Sequence, residues 1–222
     1  MMNGTMAGMR AMRMCRTVIP ALAIAAATPS ACLPPAPPLQ GAPAPAHLPS
    51  AELPPVHRTI VFSWEYEDRD FHLRGQGVAR TAAPDSVRLD FFLDGGLGGG
   101  WAILVGDSLR TPRGEVVEDL LPPAPLLWAA LGRLAVPPAP DTVVRVDADT
   151  LRVDIGREPR WRAALLGDSL LRLALIQDGR EREWVERTGR DVRYRNARER
   201  RDLRIGVQRV DTVDGYDPAI WH

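Results

Sequence analysis

The chain has 222 residues, which is enough for one main domain with a substantial hydrophobic core. Its 28 basic and 28 acidic residues balance, and every basic residue is arginine. A protein that binds nucleic acid needs a net basic face. The balanced charge therefore argues against a nucleic-acid partner.

The first 31 residues have the pattern of an export signal. Arg10, Arg13 and Arg16 precede the apolar run 17–27, which is shorter than the roughly 20 residues that a membrane-spanning helix needs. We therefore predict a signal peptide over residues 1–31. Its removal leaves 25 basic residues against 28 acidic ones in the mature chain.

Cys32 is a candidate lipidation site. It follows Ser30 and Ala31, small residues of the kind that precede the acylated cysteine of bacterial lipoproteins, although Pro29 stands where an aliphatic residue is usual. The other cysteine lies within the predicted signal, so the mature chain has no disulfide. Acylation would cap an otherwise reactive thiol and attach the protein to a membrane. The alternative is ordinary cleavage near Ala27, with Cys32 as a free thiol.

Residues 33–57 are rich in proline and alanine, a composition that forms neither helix nor sheet. With Cys32 as the anchor, we expect an extended tether over residues 32–57. Composition changes at residue 58, and alternating apolar residues recur from there towards the end of the chain. This pattern predicts a single β domain over residues 58–222.

The segment Phe71–Leu93 is the plainest β signal. Apolar and small residues alternate with polar ones on either side of Pro84-Asp85, which predicts an antiparallel hairpin. Gly75 and Gly77 within the first strand indicate a place where the sheet bends or another element packs closely.

One apolar stretch interrupts the strands. Pro125 suits a first helical position, and Leu127, Leu131 and Leu134 recur at helical spacing, which predicts a short helix over 126–134. Because this helix is apolar, we expect it to act as a lid over the inner face of a curved sheet.

Two Gly-Asp-Ser-Leu blocks, at 106–109 and 167–170, match the motif of the GDSL esterases. Both lie between strand-like segments, and Asp-Ser/Thr followed by Val or Leu occurs six times in the chain. Turns that lead into strands explain this repeat, because Asp and Ser bond their own backbone in turns. With four scattered histidines and one mature cysteine, we predict no catalytic residue, metal or cofactor.

The order of elements resembles the LolA/LolB-like lipoproteins. The resemblance lies in a lipoprotein signal, a glycine-containing strand at Leu73–Val78, a Pro-Asp turn into Arg88–Phe92, and a Leu/Trp helix after prolines. It implies an incomplete antiparallel β-barrel whose concave face is covered by helix and holds acyl chains. It also implies a periplasm-facing lipoprotein of the outer membrane.

We therefore predict a mainly β fold, with a curved antiparallel sheet and one short mid-chain helix. The expected function is non-enzymatic binding or transfer of lipid or lipoprotein acyl chains; the alternative is a scaffold module of an envelope complex, with a filled core and a protein partner. The candidate cavity and lid residues are Phe62, Trp64, Phe71, Leu89, Phe91, Trp101, Leu127, Trp128, Leu131, Trp161 and Trp184.

The lipid anchor gives the first testable prediction. In cells fed radiolabelled palmitate, Cys32→Ser removes the thiol that is acylated, so we expect incorporation to be abolished and the product to be uncleaved or soluble. The same substitution at Cys15 is the control and leaves the label in place. Label retained in Cys32→Ser would contradict the anchor.

Overall fold

The computed structural model describes residues 33–45, 48–96, 98–113 and 116–222. The elements in chain order are β1 Ala42–Pro43, β2 His57–Glu67, β3 His72–Ala82, β4 Ser86–Leu93, β5 Gly99–Val105, β6 Ser108–Arg110, α1 Val116–Leu120, α2 Ala124–Ala130, β7 Val143–Asp147, β8 Thr150–Ile155, β9 Arg160–Leu166, β10 Ser169–Gln177, β11 Arg180–Thr188, β12 Asp191–Asn196, β13 Arg201–Val213 and a 3-10 helix Pro218–Trp221. Cys32 lies outside the described residues, so its acylation stays a prediction.

All the described strands form one sheet, in the order β1-β7-β8-β9-β10-β11-β12-β13-β2-β3-β4-β5-β6. Every neighbouring pair is antiparallel, and the two end strands, β1 and β6, do not pair with each other. The predicted open antiparallel sheet with a mid-chain helix is therefore confirmed.

Alternation gives the sheet an apolar inner face and a polar outer face. On β2, Phe62, Trp64 and Tyr66 point inwards and are at most 3 % exposed, whereas Ser63 and Glu65 point outwards. Inward residues of the other strands join them in one hydrophobic core. Because the side-chain period of a strand is two, the register fixes which residues are buried together.

The inner face is covered by helix α2. Its Leu126, Leu127, Trp128 and Ala129 are buried against the sheet, and Pro125 lies in its first turn as predicted. The helix is shorter than expected, because it ends in a turn at Gly132, where φ is +95°. Helix α1 precedes it and was not expected from the sequence, since five residues are too few for a helical repeat to show.

The expected tether begins on the outer face of the sheet. The amide of Ala36 donates to the carbonyl of Gly179 at 2.8 Å, and Arg162 on β9 donates to the carbonyl of Pro37 at 2.6 Å. Strand β1 then pairs with β7 at the edge of the sheet. Composition did not reveal these contacts, because extended proline-rich chain can still pair through its carbonyl groups.

The same segment continues to the inner face. Ala51 and Leu53 are buried in the core, and the Ala51 carbonyl accepts a hydrogen bond from the amide of Leu134, at 2.9 Å. Arg133 forms an ion pair with Glu52 at 3.5 Å. Residues 48–53 therefore hold the chain that leaves α2. The domain boundaries drawn from the sequence stay predictions.

The repeated Asp-Ser/Thr signature marks turns at five of its six occurrences. Gly106 and Gly167 both have φ of +56°, and each begins the two-residue turn of a hairpin, β5–β6 and β9–β10. The two Gly-Asp-Ser-Leu blocks are thus the same tight turn. The sixth occurrence, Asp211-Thr212-Val213, lies inside β13 instead.

Gly77 gives a prediction for stability. A Cβ at this position would lie 2.3 Å from Cζ of the Phe62 ring, so Gly77→Ala forces the ring or strand to shift. We expect a loss of about 1–3 kcal/mol in the free energy of unfolding, measured by urea denaturation. Gly215→Ala is the control, because nothing lies within 4 Å of a Cβ there. Equal stability of both variants would contradict the close approach.

Candidate functional site

An apolar cavity of about 240 Å³ lies between α2 and the inner face of the sheet. The strands contribute Arg58, Ile60, Phe62, Ala79, Leu89, Phe91, Arg187, Val192, Tyr194, Leu203, Ile205, Val207 and Val210; the helix side contributes Leu121, Pro122, Leu127, Ala130 and Leu131, and the β11–β12 turn contributes Gly189 and Arg190. The cavity is therefore a space that the lid covers and does not fill.

Small residues on β3 make room for this space. Gly77 pairs with Phe62 on one side and Phe91 on the other, and these two rings meet edge to face with centroids 5.7 Å apart. Ala79, the next inward residue, adds only a methyl group to the cavity wall. Two aromatic rings over a strand without bulky side chains form a firm, apolar floor.

The lid is fixed by Trp128. Its ring is fully buried, its Nε1–H donates to the carbonyl of Gly106 at 2.7 Å, and the Arg133 guanidinium stacks 4.9 Å from its ring centroid. A buried indole needs a partner for its N–H, and the β5–β6 turn provides one. Leu127 and Leu131, one helical turn apart, then face the cavity.

The charged residues of the cavity lie towards one end of the strands. Arg187 is near the end of β11, Arg190 is in the β11–β12 turn, and Arg58 is near the start of β2. We call these three residues the arginine rim. No acidic residue of the described chain lines the cavity.

Arg187 is the most enclosed member of the arginine rim. Its guanidinium lies against Gly132, where an added Cβ would be 2.3 Å from Nη1. Its one described hydrogen bond, to the carbonyl of Leu170, is long at 3.5 Å, and its buried Nε has no partner among the described residues. Burial lowers the pKa of Arg187 from its ordinary value, because the surroundings disfavour the charged form.

Tyr194 presents its ring to the cavity and turns its hydroxyl towards Glu183, whose Oε2 accepts at 2.9 Å. Burial, followed by the charge of Glu183, raises the pKa of Tyr194 above its ordinary value. The phenol is therefore neutral at physiological pH. Burial also raises the pKa of Glu183, against the opposing effect of the Tyr194 hydrogen bond.

Of the eleven residues expected at the cavity or its lid, five line the cavity: Phe62, Leu89, Phe91, Leu127 and Leu131. Trp128 lies in the lid helix α2, buried in the core outside the cavity wall. Trp64 is also buried in the core, and Trp161 packs against it.

The remaining three lie away from the inner face. Phe71 is 62 % exposed, because it precedes β3 in the β2–β3 turn. Trp101 and Trp184 belong to the outer parity of β5 and β11, and their rings stack with Arg88 and Arg172, at 5.7 and 5.1 Å. The spread of tryptophans along the chain does not distinguish inner from outer positions, because either parity of a strand can hold an aromatic ring.

The sequence did not single out the wall formed by β12 and β13. Val192, Tyr194, Leu203 and Ile205 alternate on these strands, and that period-two signal was available. The arginine rim had no such signal, since 28 arginines are spread over the whole chain.

The described residues contain no group of three His, Cys, Asp or Glu side chains that could hold a metal ion. They also contain no helix that is both long and apolar enough to span a membrane.

The Glu183–Tyr194 pair gives a pH prediction. Because its folded-state pKa is raised, ionisation of Glu183 costs more in the folded chain, so the contribution of Glu183 to stability falls as the pH rises above 4.5. Glu183→Gln keeps an acceptor for the hydroxyl and removes this cost. We expect its gain in free energy of unfolding, measured with urea, to grow between pH 4 and pH 7; a gain that shrinks would contradict the burial of Glu183.

Three solved structures align with most of this chain. A LolA superfamily protein, NE2245 from Nitrosomonas europaea, aligns with a TM-score of 0.50 and 8 % identity, over 78 % of this chain and 92 % of that one. A domain proposed to be an outer membrane lipoprotein-sorting protein, from Vibrio parahaemolyticus, aligns with a TM-score of 0.46 and 5 % identity, over 77 % of this chain and 91 % of that one. A DUF1329 family protein from Desulfovibrio piger aligns with a TM-score of 0.42 and 9 % identity, over 75 % of this chain and 89 % of that one.

No family model matches the sequence, and the search of the curated proteins gives no match. At these identities the likeness concerns the fold. The resemblance to LolA-like proteins is confirmed at that level: the chain has a LolA-like fold.

Proposed function

We propose that the protein is a non-enzymatic protein that binds or transfers acyl chains and holds one chain of a lipid or lipoprotein between α2 and the inner face of its sheet. The proposal includes a lipid anchor at Cys32 and a place in the bacterial cell envelope, at the outer membrane and facing the periplasm. The observation that supports it is the apolar cavity under the lid.

The lining of the cavity suits a hydrocarbon chain. Phe62, Leu89, Phe91 and Leu127 surround the space, and the one uncharged polar side chain at its wall, Tyr194, directs its hydroxyl to Glu183. An apolar cavity of about 150 Å³ can remain dry and bind a small hydrocarbon, so this larger one suits an alkyl group. Each CH₂ group moved from water into it contributes about 0.8 kcal/mol.

The volume of the cavity limits what it holds. Pockets for drug-sized ligands measure about 300–1,000 Å³, and this one, at about 240 Å³, is below that range. The half of the sheet formed by β7 to β10 is filled, because Val153, Ile155, Leu165 and Leu173 pack there in the core. We therefore propose a single chain, and not the several acyl chains of a whole lipoprotein anchor.

The filled half also supports the second candidate, a scaffold module of an envelope complex with a protein partner. The two candidates differ in whether hydrocarbon enters under α2. Direct binding of an acyl chain separates them.

Binding of a neutral chain tests the proposed function. A fluorescent fatty alcohol should bind the wild type, and Ala79→Phe should weaken binding about tenfold or more, because its ring occupies the cavity and the loss of even two buried CH₂ groups costs about 1.6 kcal/mol. A neutral probe avoids any effect of the arginine rim. Fluorescence titration gives the dissociation constants.

Ala164→Phe is the matched control, because Ala164 has the outer parity of β9, away from the cavity. It should leave the affinity unchanged, and thermal unfolding verifies that both variants fold. If Ala79→Phe does not fold, Leu131→Arg provides the same test from the lid side. Absence of binding to the wild type, or equal binding by Ala79→Phe, would overturn the proposal in favour of the scaffold.

A further inference from the structure

We infer that the ligand of this cavity is a single-chain amphiphile with an anionic head, a carboxylate or phosphate group, and that the arginine rim receives this head while the chain lies under α2. The inference rests on the proposed function and deepens it. It names the chemical class of the ligand.

The first argument is the sign of the charges at the cavity. Its wall contains Arg58, Arg187 and Arg190, and no acidic side chain of the described residues. The chain as a whole has as many acidic as basic residues. Three positive side chains beside an apolar space, with no acidic neighbour in its wall, favour an incoming anion.

The second argument is that these arginines have no carboxylate partner among the described residues, whereas many outer-face arginines do. Arg152, for example, binds Asp147 at 2.9 Å, and Arg162 binds Asp154 through two hydrogen bonds, at 2.7 and 2.9 Å. At the arginine rim, the described hydrogen bonds go to backbone carbonyl groups: Arg187 donates to Leu170 and Arg190 to Gln208.

The third argument concerns the donors that Arg187 leaves unused. A guanidinium has five N–H donors in a planar fork that matches a carboxylate or phosphate. The buried Nε of Arg187 has no partner among the described residues, and the only described hydrogen bond is long, at 3.5 Å. The C-terminal end of α2 near Gly132 offsets part of the charge. An anion would satisfy the remaining donors.

The arginine rim borders the apolar wall of the cavity. Val207, which pairs with Phe62 at the cavity wall, donates its amide to the carbonyl of Arg190 at 2.9 Å. Arg58 lies four residues along β2 from Phe62, about 13 Å at the usual rise of a strand. The backbone of Arg190 is therefore level with Phe62, and Arg58 lies further along β2, so the arginine rim borders the apolar wall that would hold the chain.

Competition experiments with the fluorescent fatty alcohol test this inference. The competitors are dodecanoate above neutral pH, dodecanol with the same chain, and inorganic phosphate, which has the charge without the chain. We expect dodecanoate to bind the wild type about tenfold to a hundredfold more tightly than dodecanol, as a hydrogen-bonded charge predicts. Inorganic phosphate should not displace the probe at these concentrations.

Arg187→Met removes the guanidinium and retains much of the side-chain volume, so the preference for dodecanoate over dodecanol should be lost. Its melting temperature without ligand should not fall, because the charge that it removes is enclosed and poorly hydrogen-bonded. Arg152→Met on the outer face is the control and should keep the preference. If Arg187→Met does not fold, the double variant Arg58→Met/Arg190→Met serves in its place, because neither side chain is buried.

Equal affinity for dodecanoate and dodecanol, or an undiminished preference in Arg187→Met, would overturn the anionic head and leave the proposed function intact. Displacement of the probe by inorganic phosphate alone would also overturn it, because the site would then select a free anion. Failure of both dodecyl ligands to bind would overturn the inference together with the proposed function.

Discussion

The structure depends on one constraint: the apolar inner face of an open sheet must be covered. A closed barrel covers its inner face by its own curvature, whereas this sheet leaves β1 and β6 unpaired with each other. Helix α2 has only seven residues, so contacts outside the helix must hold it in place. The hydrogen bond from Trp128 to Gly106 holds one side of the lid, and residues 48–53 hold the chain that follows it.

The cavity has the same cause, because the lid helix is too short to cover the inner face closely. The Phe62 ring occupies the space above Gly77, and a lid this short does not fill the space above Ala79, where β3 provides only a methyl group. The register that brings Phe62 and Phe91 over this strand makes the space apolar, and the ends of β2 and β11 add arginines beside it. The open sheet and its short lid helix thus account for the apolar cavity. The ends of the strands place the arginine rim beside it.

Alternation along the strands made the fold predictable, because period two specifies both strand and face. It also placed Phe62, Leu89 and Phe91 correctly at the inner face, where the structure has the cavity. It failed for Trp101 and Trp184, because parity within a strand can be read only once the register with its neighbours is known. The contacts of residues 33–56 were hidden for another reason: many depend on backbone amide and carbonyl groups, which composition does not reveal.

Native mass spectrometry of the protein purified from its own membranes tests the central claim most directly. The claim predicts, beyond the mass of the polypeptide and the proposed anchor, one additional bound molecule with a single acyl chain and an acidic head, which is absent from Ala79→Phe. A wild-type spectrum without any added mass, or with the same added mass in Ala79→Phe, would contradict it.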